Sequence, residues 1–246
     1  MLSLIFVSDS GSNRIMVFDL KTKKFIQSFT GITSPLMISI DSSDQKYIYF
    51  SNMNNQVGKY DIEQKKIIWE TSQNLRHPSG IVADNSIDGR LYVSDCSNNE
   101  IKCLSKQDGK LISSFGACKF PFGLEINTDG DLIVTSLATH TISVISKVLE
   151  KKQIYFSFGK KGVGLHEFQY PRGVFVEKLS GYIYICDQSN SRIHVFDNFG
   201  SFIQSFGEIG STGKSHFKFP TGLCISESRG ELFVADTHNK RIQVFR

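Results

Sequence analysis

The chain has five prolines in 246 residues, and each occupies the same place in a repeated pattern: Pro35, Pro78, Pro121, Pro171 and Pro220, spaced by 43, 43, 50 and 49 residues. Proline has no N–H to give a sheet ladder, so in β structure it opens a strand or sits on an edge. The last copy, FPTGLCISESRGELFVADTHNKRIQVF from Phe219 to Phe245, is the clearest. Its runs GLCI, ELFVAD and RIQVF alternate apolar and polar residues between Gly, Asn, Asp and Ser, which predicts strands and not helices. The same order recurs as GVFV, YIYICD and RIHVF, ending at Phe196. A fourth, aromatic run closed by Gly follows the third, as in GKLISSFG at 109–116, IYFSFG at 154–159 and GSFIQSFG at 200–207. Each copy therefore holds four strands, a to d. The period is that of a four-stranded propeller blade and exceeds that of leucine-rich or helical-pair repeats.

Six copies are read at about 1–30, 34–71, 77–116, 120–159, 170–207 and 219–246, in one domain spanning 1–246. The first opens on LIFVSD as strand b and lacks strand a, while the last stops after strand c and lacks strand d. The middle copies diverge at defined places. Asn52 and Ser136 stand where others have the Asp that closes strand b, and Glu100 and Thr141 stand where others have the Arg that opens strand c. Three closures are compatible with the missing strands: a piece of a longer chain, an imperfectly closed ring, or five blades with KFIQSF laid against the last copy.

The segments SDSGSNRIMVF (8–18), CDQSNSRIHVF (186–196) and ADTHNKRIQVF (235–245), with the linkers FGKKGVGLHEFQYPRG and FGEIGSTGKSHFKFPTG, resemble the NHL repeat over essentially the whole chain. The resemblance implies an all-β, six-bladed β-propeller. It also implies a binding role toward protein or single-stranded RNA, as in NHL domains that end tripartite-motif ubiquitin ligases. This sequence holds no RING, B-box or coiled coil, so the ubiquitin connection is not carried over.

A net charge of +4 excludes a strongly basic nucleic-acid protein by composition, while leaving charge placement open. The five cysteines are odd in number and without C-x-x-C spacing, so they are expected as reduced thiols in a cytoplasmic setting, with Cys96 and Cys118 the one pair in loops. MLSLIFVSD is expected to be a strand b and not a leader, since it has no basic start and its apolar stretch is short, and no run is long enough to span a membrane. A monomer is expected, on its own or as part of a longer chain.

Asp9/Arg14, Asp187/Arg192 and Asp236/Arg241 share one spacing across the b–c loop. They are expected to be loop braces, with Asp capping the loop amides and Asn13, Asn190 and Asn239 in left-handed turn positions. The b–c and d–a loops share one side of the disc, and that side collects the candidate basic face: Arg14, Lys160, Lys161, Arg172, Arg192, Lys214, Lys218, Lys240 and Arg241. It also holds five of the six histidines. Phe168, Tyr170, Phe217 and Phe219 are either inward loop anchors or stacking platforms for bases. The opposite side carries Asp41, Asp44, Asp84, Asp88, Asp129, Asp131, Glu227 and Glu231 among lysines. No catalytic motif is present, and no metal or cofactor is expected. The alternative is an enzyme of the lyase or lactonase type, metal-dependent and working in the central channel, for which Glu125 and Asn127 are the only candidates.

Overall fold

The computed structural model describes residues 3–41, 45–85, 89–116, 118–146 and 154–246. The fold is all-β, a six-bladed β-propeller built of small antiparallel sheets. The chain divides into two compact units, Met1–Phe115 and Gly116–Arg246.

In the first unit, one blade has three strands, Leu4–Asp9, Arg14–Asp19 and Phe25–Phe29, which are its b, c and d. The next two have all four: Pro35–Ile40, Tyr47–Asn52, Val57–Asp61 and Lys66–Thr71, then Pro78–Ala83, Arg90–Asp95, Glu100–Ser105 and Leu111–Gly116. The second unit holds Pro121–Ile126, Leu132–Ser136, Thr141–Ile145 and Ile154–Phe158, followed by Pro171–Val176, Ile183–Asp187, Arg192–Phe196 and Phe202–Phe206. Among the described residues its last blade has strands a, b and c, Pro220–Ser226, Glu231–Asp236 and Arg241–Phe245. Every proline begins a strand a, as its missing N–H demands, and LIFVSD pairs fully with the strand that follows it. Asp44 and Asp88 lie outside the described residues.

Apolar faces stack between successive blades. In the second unit Ile133, Ile142 and Val144 of one blade meet Phe168, Val174, Val176, Ile183, Ile185 and Phe196 of the next. In the first unit Tyr49 and Val57 meet Ile81, Leu91 and Val93, with Trp69 at the margin. Burial on both strand faces explains the density of Ile, Val and Phe.

The Pro-x-Gly signature is a close-approach device. A side chain at Gly123 would lie 2.1 Å from the Arg172 carbonyl oxygen, and one at Gly173 would lie 2.5 Å from that of Thr221. Each glycine thus lets its strand a sit against the backbone of the next strand a. A bulge follows the proline in all five of these strands. Hydroxyls near the end of strand b clamp the same step: Ser8 donates to the Leu36 carbonyl at 2.7 Å, Ser51 to Ser79 at 2.6 Å and Thr135 to Arg172 at 2.7 Å.

Candidate functional site

The loop face is organised around the Asp that closes strand b. Asp236 is fully buried, and its Oδ1 accepts the Lys218 backbone N–H at 2.7 Å. Its Oδ2 accepts from Asn239 Nδ2 at 2.9 Å, Arg241 Nε at 2.9 Å and Gln243 Nε2 at 3.1 Å. Asp187 is the same hub, taking Gln169 N–H, Asn190 and Arg192, with His194 Nε2 at 3.2 Å in the place of Gln243. Burial pushes the Asp236 carboxyl up, and these four donors more than offset it, so it lies below the usual range.

The geometry differs from the expected loop cap. The amide captured belongs to the residue two before the proline and not to the b–c loop. The aspartates make no side-chain cap to the short 3-10 turn that follows them. The left-handed position is the fourth after Asp, occupied by Asn13, Asn99, Ser191 and Lys240. Asn190 and Asn239 stand one residue earlier. There they donate to the Asp and across to the long d–a loops, Asn190 to Gly162 O and Asn239 to Gly210 O, both at 2.9 Å.

Arg192 and Arg241 extend those ties. The Arg192 guanidinium donates to Gly164 O and Glu167 O, and that of Arg241 to Gly213 O and His216 O. Both loops, 159–170 and 207–219, are further pinned by short parallel pairings, Lys160–Lys161 with Glu167–Phe168 and Glu208–Ile209 with His216–Phe217. Phe168 and Phe217 are the buried anchors. Arg14 pairs with Asp9 at 2.9 Å at the partly exposed first blade, and Arg172 lies 4.5 Å over the Phe122 ring. In the third blade, where Glu100 replaces Arg, Lys102 fills the gap, 2.5 Å from Glu100 and 3.8 Å from Asp95.

Four of the nine candidate cations are therefore committed to internal contacts. The remaining five, Lys160, Lys161, Lys214, Lys218 and Lys240, are all exposed, all in the second unit and all on its b–c and d–a loops. Lys160 lies 3.3 Å from Glu167, while the other four make no ion pair among the described residues.

A second recurring position was only half revealed by the sequence. The residue before each proline has positive φ: Ser34 43°, His77 60°, Phe120 54°, Tyr170 55° and Phe219 54°. Such backbone costs an L-residue about 1–3 kcal/mol each. In the second unit the position is aromatic in all three blades and turned outward, with Phe120 39%, Tyr170 47% and Phe219 37% exposed. Two histidines flank the row: His140 meets Tyr170 edge-on at 4.8 Å, and His238 lies 4.4 Å from Phe219 at 36°.

The strained residue is latched by the preceding blade. Asn13 Oδ1 accepts the Ser34 N–H at 2.8 Å and Asn55 Oδ1 that of His77 at 2.7 Å. At the next described latch His140 Nδ1 accepts the Tyr170 N–H at 3.0 Å, which fixes its neutral tautomer with the proton on Nε2. Burial, then the Lys161 charge, lower the His140 pKa against a smaller opposing effect of Asp187.

On the inner strand a, Glu125 is partly buried, and removal from water pushes its carboxyl up, opposed by the Ile126 N–H and Lys178. Asn127 is occupied with its own turn, accepting the Asp129 and Asp131 N–H groups and donating to Asn198. Among the described residues no group of three or more His, Cys, Asp or Glu has metal-holding geometry, and no helix is long and apolar enough to cross a membrane. All five cysteines are free, and burial pushes the Cys118 thiol up to about 11.

Comparison with known proteins bears on the repeat and the fold. The NHL repeat family model matches residues 217–245. The chain is 34% identical over 137 residues to a probable peptidyl-α-hydroxyglycine α-amidating lyase of Caenorhabditis elegans, covering 52% of this chain and 38% of that protein. It is 30% identical over 88 residues to the Protein brain tumor of Drosophila melanogaster and 41% identical over 54 residues to the RING finger protein nhl-1 of C. elegans. These alignments cover 35% and 22% of this chain, and only 8% and 5% of those relatives. Among solved structures, Kuenenia stuttgartiensis hydrazine synthase superposes on 99% of this chain and 92% of its own with a TM-score of 0.69 at 15% identity. A functionally unknown protein from Desulfotomaculum acetoxidans gives 0.70 at 17%, over 99% of this chain and 78% of its own. Likeness at that identity speaks to the fold alone.

Proposed function

We propose that this chain, an NHL-repeat β-propeller, is a non-catalytic binding platform and that its ligand is single-stranded RNA, held on the b–c and d–a loop face. The observation that carries this reading is the coincidence, in one unit, of five exposed lysines with three outward aromatic side chains. Asp187 and Asp236, the aspartates of this face in the same unit's last two blades, are buried under arginine and asparagine, with His194 or Gln243 beside them, so their charge is countered locally. Phosphate neutralisation by such lysines supplies sequence-independent affinity, and each base stacked on Phe120, Tyr170 or Phe219 adds about 1–3 kcal/mol. At Tyr170 the backbone strain is held by the His140 latch of the preceding blade, which presents the ring without further ordering cost.

The test compares wild type with Lys160→Glu/Lys161→Glu and with Tyr170→Ala/Phe219→Ala in binding short single-stranded RNA. Both double variants are expected to bind at least tenfold more weakly, the first losing most at low salt and the second at all salts. A protein ligand on this face would leave RNA affinity absent in every form. The 34% identity to the lyase gives the channel its own reading, in which Glu125→Gln abolishes a lyase activity that the loop variants keep.

A further inference from the structure

Asn13, Asn55 and His140 do one job, accepting the N–H of the left-handed residue that precedes the next proline. An asparagine oxygen accepts that bond at any pH the fold survives. An imidazole accepts it only while Nδ1 carries no proton. His140 is 6% exposed and is itself fixed, its backbone N–H donating to Ser136 O at 3.1 Å and its ring meeting that of Tyr170 edge-on. The ring that this histidine steadies is the most exposed of the three outward aromatics of the second unit.

Protonation would set a donor against a donor. With both ring nitrogens protonated, Nδ1–H faces the Tyr170 N–H across 3.0 Å. The bond that offsets the left-handed backbone of Tyr170, at φ 55°, is then lost, and a partly buried N–H is left without its acceptor. Extended backbone, the ordinary geometry before proline, becomes the easier course for residue 170, and the ring leaves its place beside His140. Removal from water, then the charge of Lys161 on the loop 159–170, oppose a proton on the ring, while Asp187 at the end of strand b in the next blade favours one more weakly. The latch therefore holds at neutral pH and opens below the ordinary histidine value of 6.5.

We propose that His140 is the positioning residue for Tyr170, holding that ring on the loop face while its Nδ1 is bare and releasing it on protonation, so that the grip of the face on its ligand is under proton control at this blade junction. Asn13 and Asn55 give their own junctions no such response. The latch stands whatever ligand the face takes, and its effect on RNA affinity rests on the RNA reading.

The first measurement needs no ligand. In the isotope-labelled chain, NMR follows the His140 ring from pH 8 to pH 4.5 together with the exchange protection of the Tyr170 N–H. Protection is expected to fall about fivefold or more along the His140 titration curve, and to stay level in His140→Asn, whose side-chain oxygen copies Asn13 and Asn55. Protection that stays level while His140 titrates, or that falls equally in His140→Asn, would overturn the proposal, and the wild-type curve decides it should the variant not fold. The second measurement is affinity for oligouridylate, whose bases do not titrate in this range. Loss of one stacked base is worth about 5- to 150-fold, so wild-type binding should weaken by about fivefold or more between pH 8 and pH 4.5, and the ratio for His140→Asn should stay within about twofold. The sign is diagnostic, because a protonated histidine acting only as one more positive charge would tighten RNA on acidification, and that result contradicts the latch. Tyr170 protection lost with His140 protonation, in a chain that binds no RNA at any pH, would uphold the latch and refute the RNA reading.

Discussion

Gly173 and Gly222 occupy the same place in the same motif, Pro-Arg-Gly and Pro-Thr-Gly, yet alanine should have opposite effects at the two. A Cβ at Gly173 meets the Thr221 carbonyl oxygen at 2.5 Å and the Gly222 Cα at 2.9 Å, both backbone atoms of the next blade. Neither can swing aside as a side chain would, so inner strands must separate, at an overpacking cost of about 1–3 kcal/mol. For a chain of this size each kcal/mol moves the melting temperature by about 2–4 °C, so Gly173→Ala is expected to lose roughly 2–12 °C. The nearest atom to a Cβ at Gly222 is the Ala235 methyl at 4.0 Å. That is ordinary contact, and the reduced freedom of the unfolded chain should leave Gly222→Ala neutral or more stable by about 0.4–1 kcal/mol. Differential scanning calorimetry of both variants and wild type reads the contrast. Equal destabilisation of the two would refute the argument that inter-blade approach, and not local backbone conformation, fixes this glycine.

Other consequences follow from the loop hubs. Asp236→Ala should cost about 3–5 kcal/mol in urea unfolding, because Arg241, Asn239, Gln243 and the Lys218 N–H lose one buried acceptor together. With its folded pKa depressed, Asp236 contributes stability that is present above the ordinary value of 3.8 and lost as pH falls below it, a loss that melts of Asp236→Asn across pH 2–5 should not reproduce. His140 has a folded pKa below the ordinary 6.5, so the unfolded chain takes up its proton first and stability falls as pH drops from 6.5 toward the lower value. His140→Asn, which copies the latch of Asn13 and Asn55, should remove that component from pH-dependent melts. Amides of Arg241–Phe245 should exchange faster than those of Arg192–Phe196 in this chain, since among the described residues only the latter pair with a strand on each side.

The blades were legible because their signals are local and repeated. A proline without an N–H can open an inner strand but not continue one, and alternation of Ile, Val and Phe fixes which face is buried. The incomplete first and last blades followed from counting strands. The hubs were legible only as a pairing. Asp–Arg spacing announces contact across a hairpin, but that Oδ1 of Asp236 would reach back 18 residues to the Lys218 N–H depends on how strand a enters, which no local pattern encodes. The turn positions of Asn190 and Asn239 went astray for a related reason. Asparagine suits both a left-handed backbone and a side-chain brace, and the Gly162 and Gly210 carbonyls that select the brace are 28 and 29 residues away. Among the aromatics, Phe168 and Phe217 could not be separated from Tyr170 and Phe219 by composition. The strand pairing of the long loops turns the first two inward, and the positive φ before proline turns the others out. Phe120 was missed, although its position immediately before Pro121 is the same signal.

The central claim is that this loop face binds single-stranded RNA through exposed lysines and outward aromatic rings, and the salt dependence of wild-type affinity tests it most directly. If three to five of the lysines neutralise phosphates, log affinity should fall against log salt with a slope of about −2 to −3.5, and the stacking contribution should persist at high salt. No measurable binding at low salt, or binding with no salt dependence, would contradict the claim.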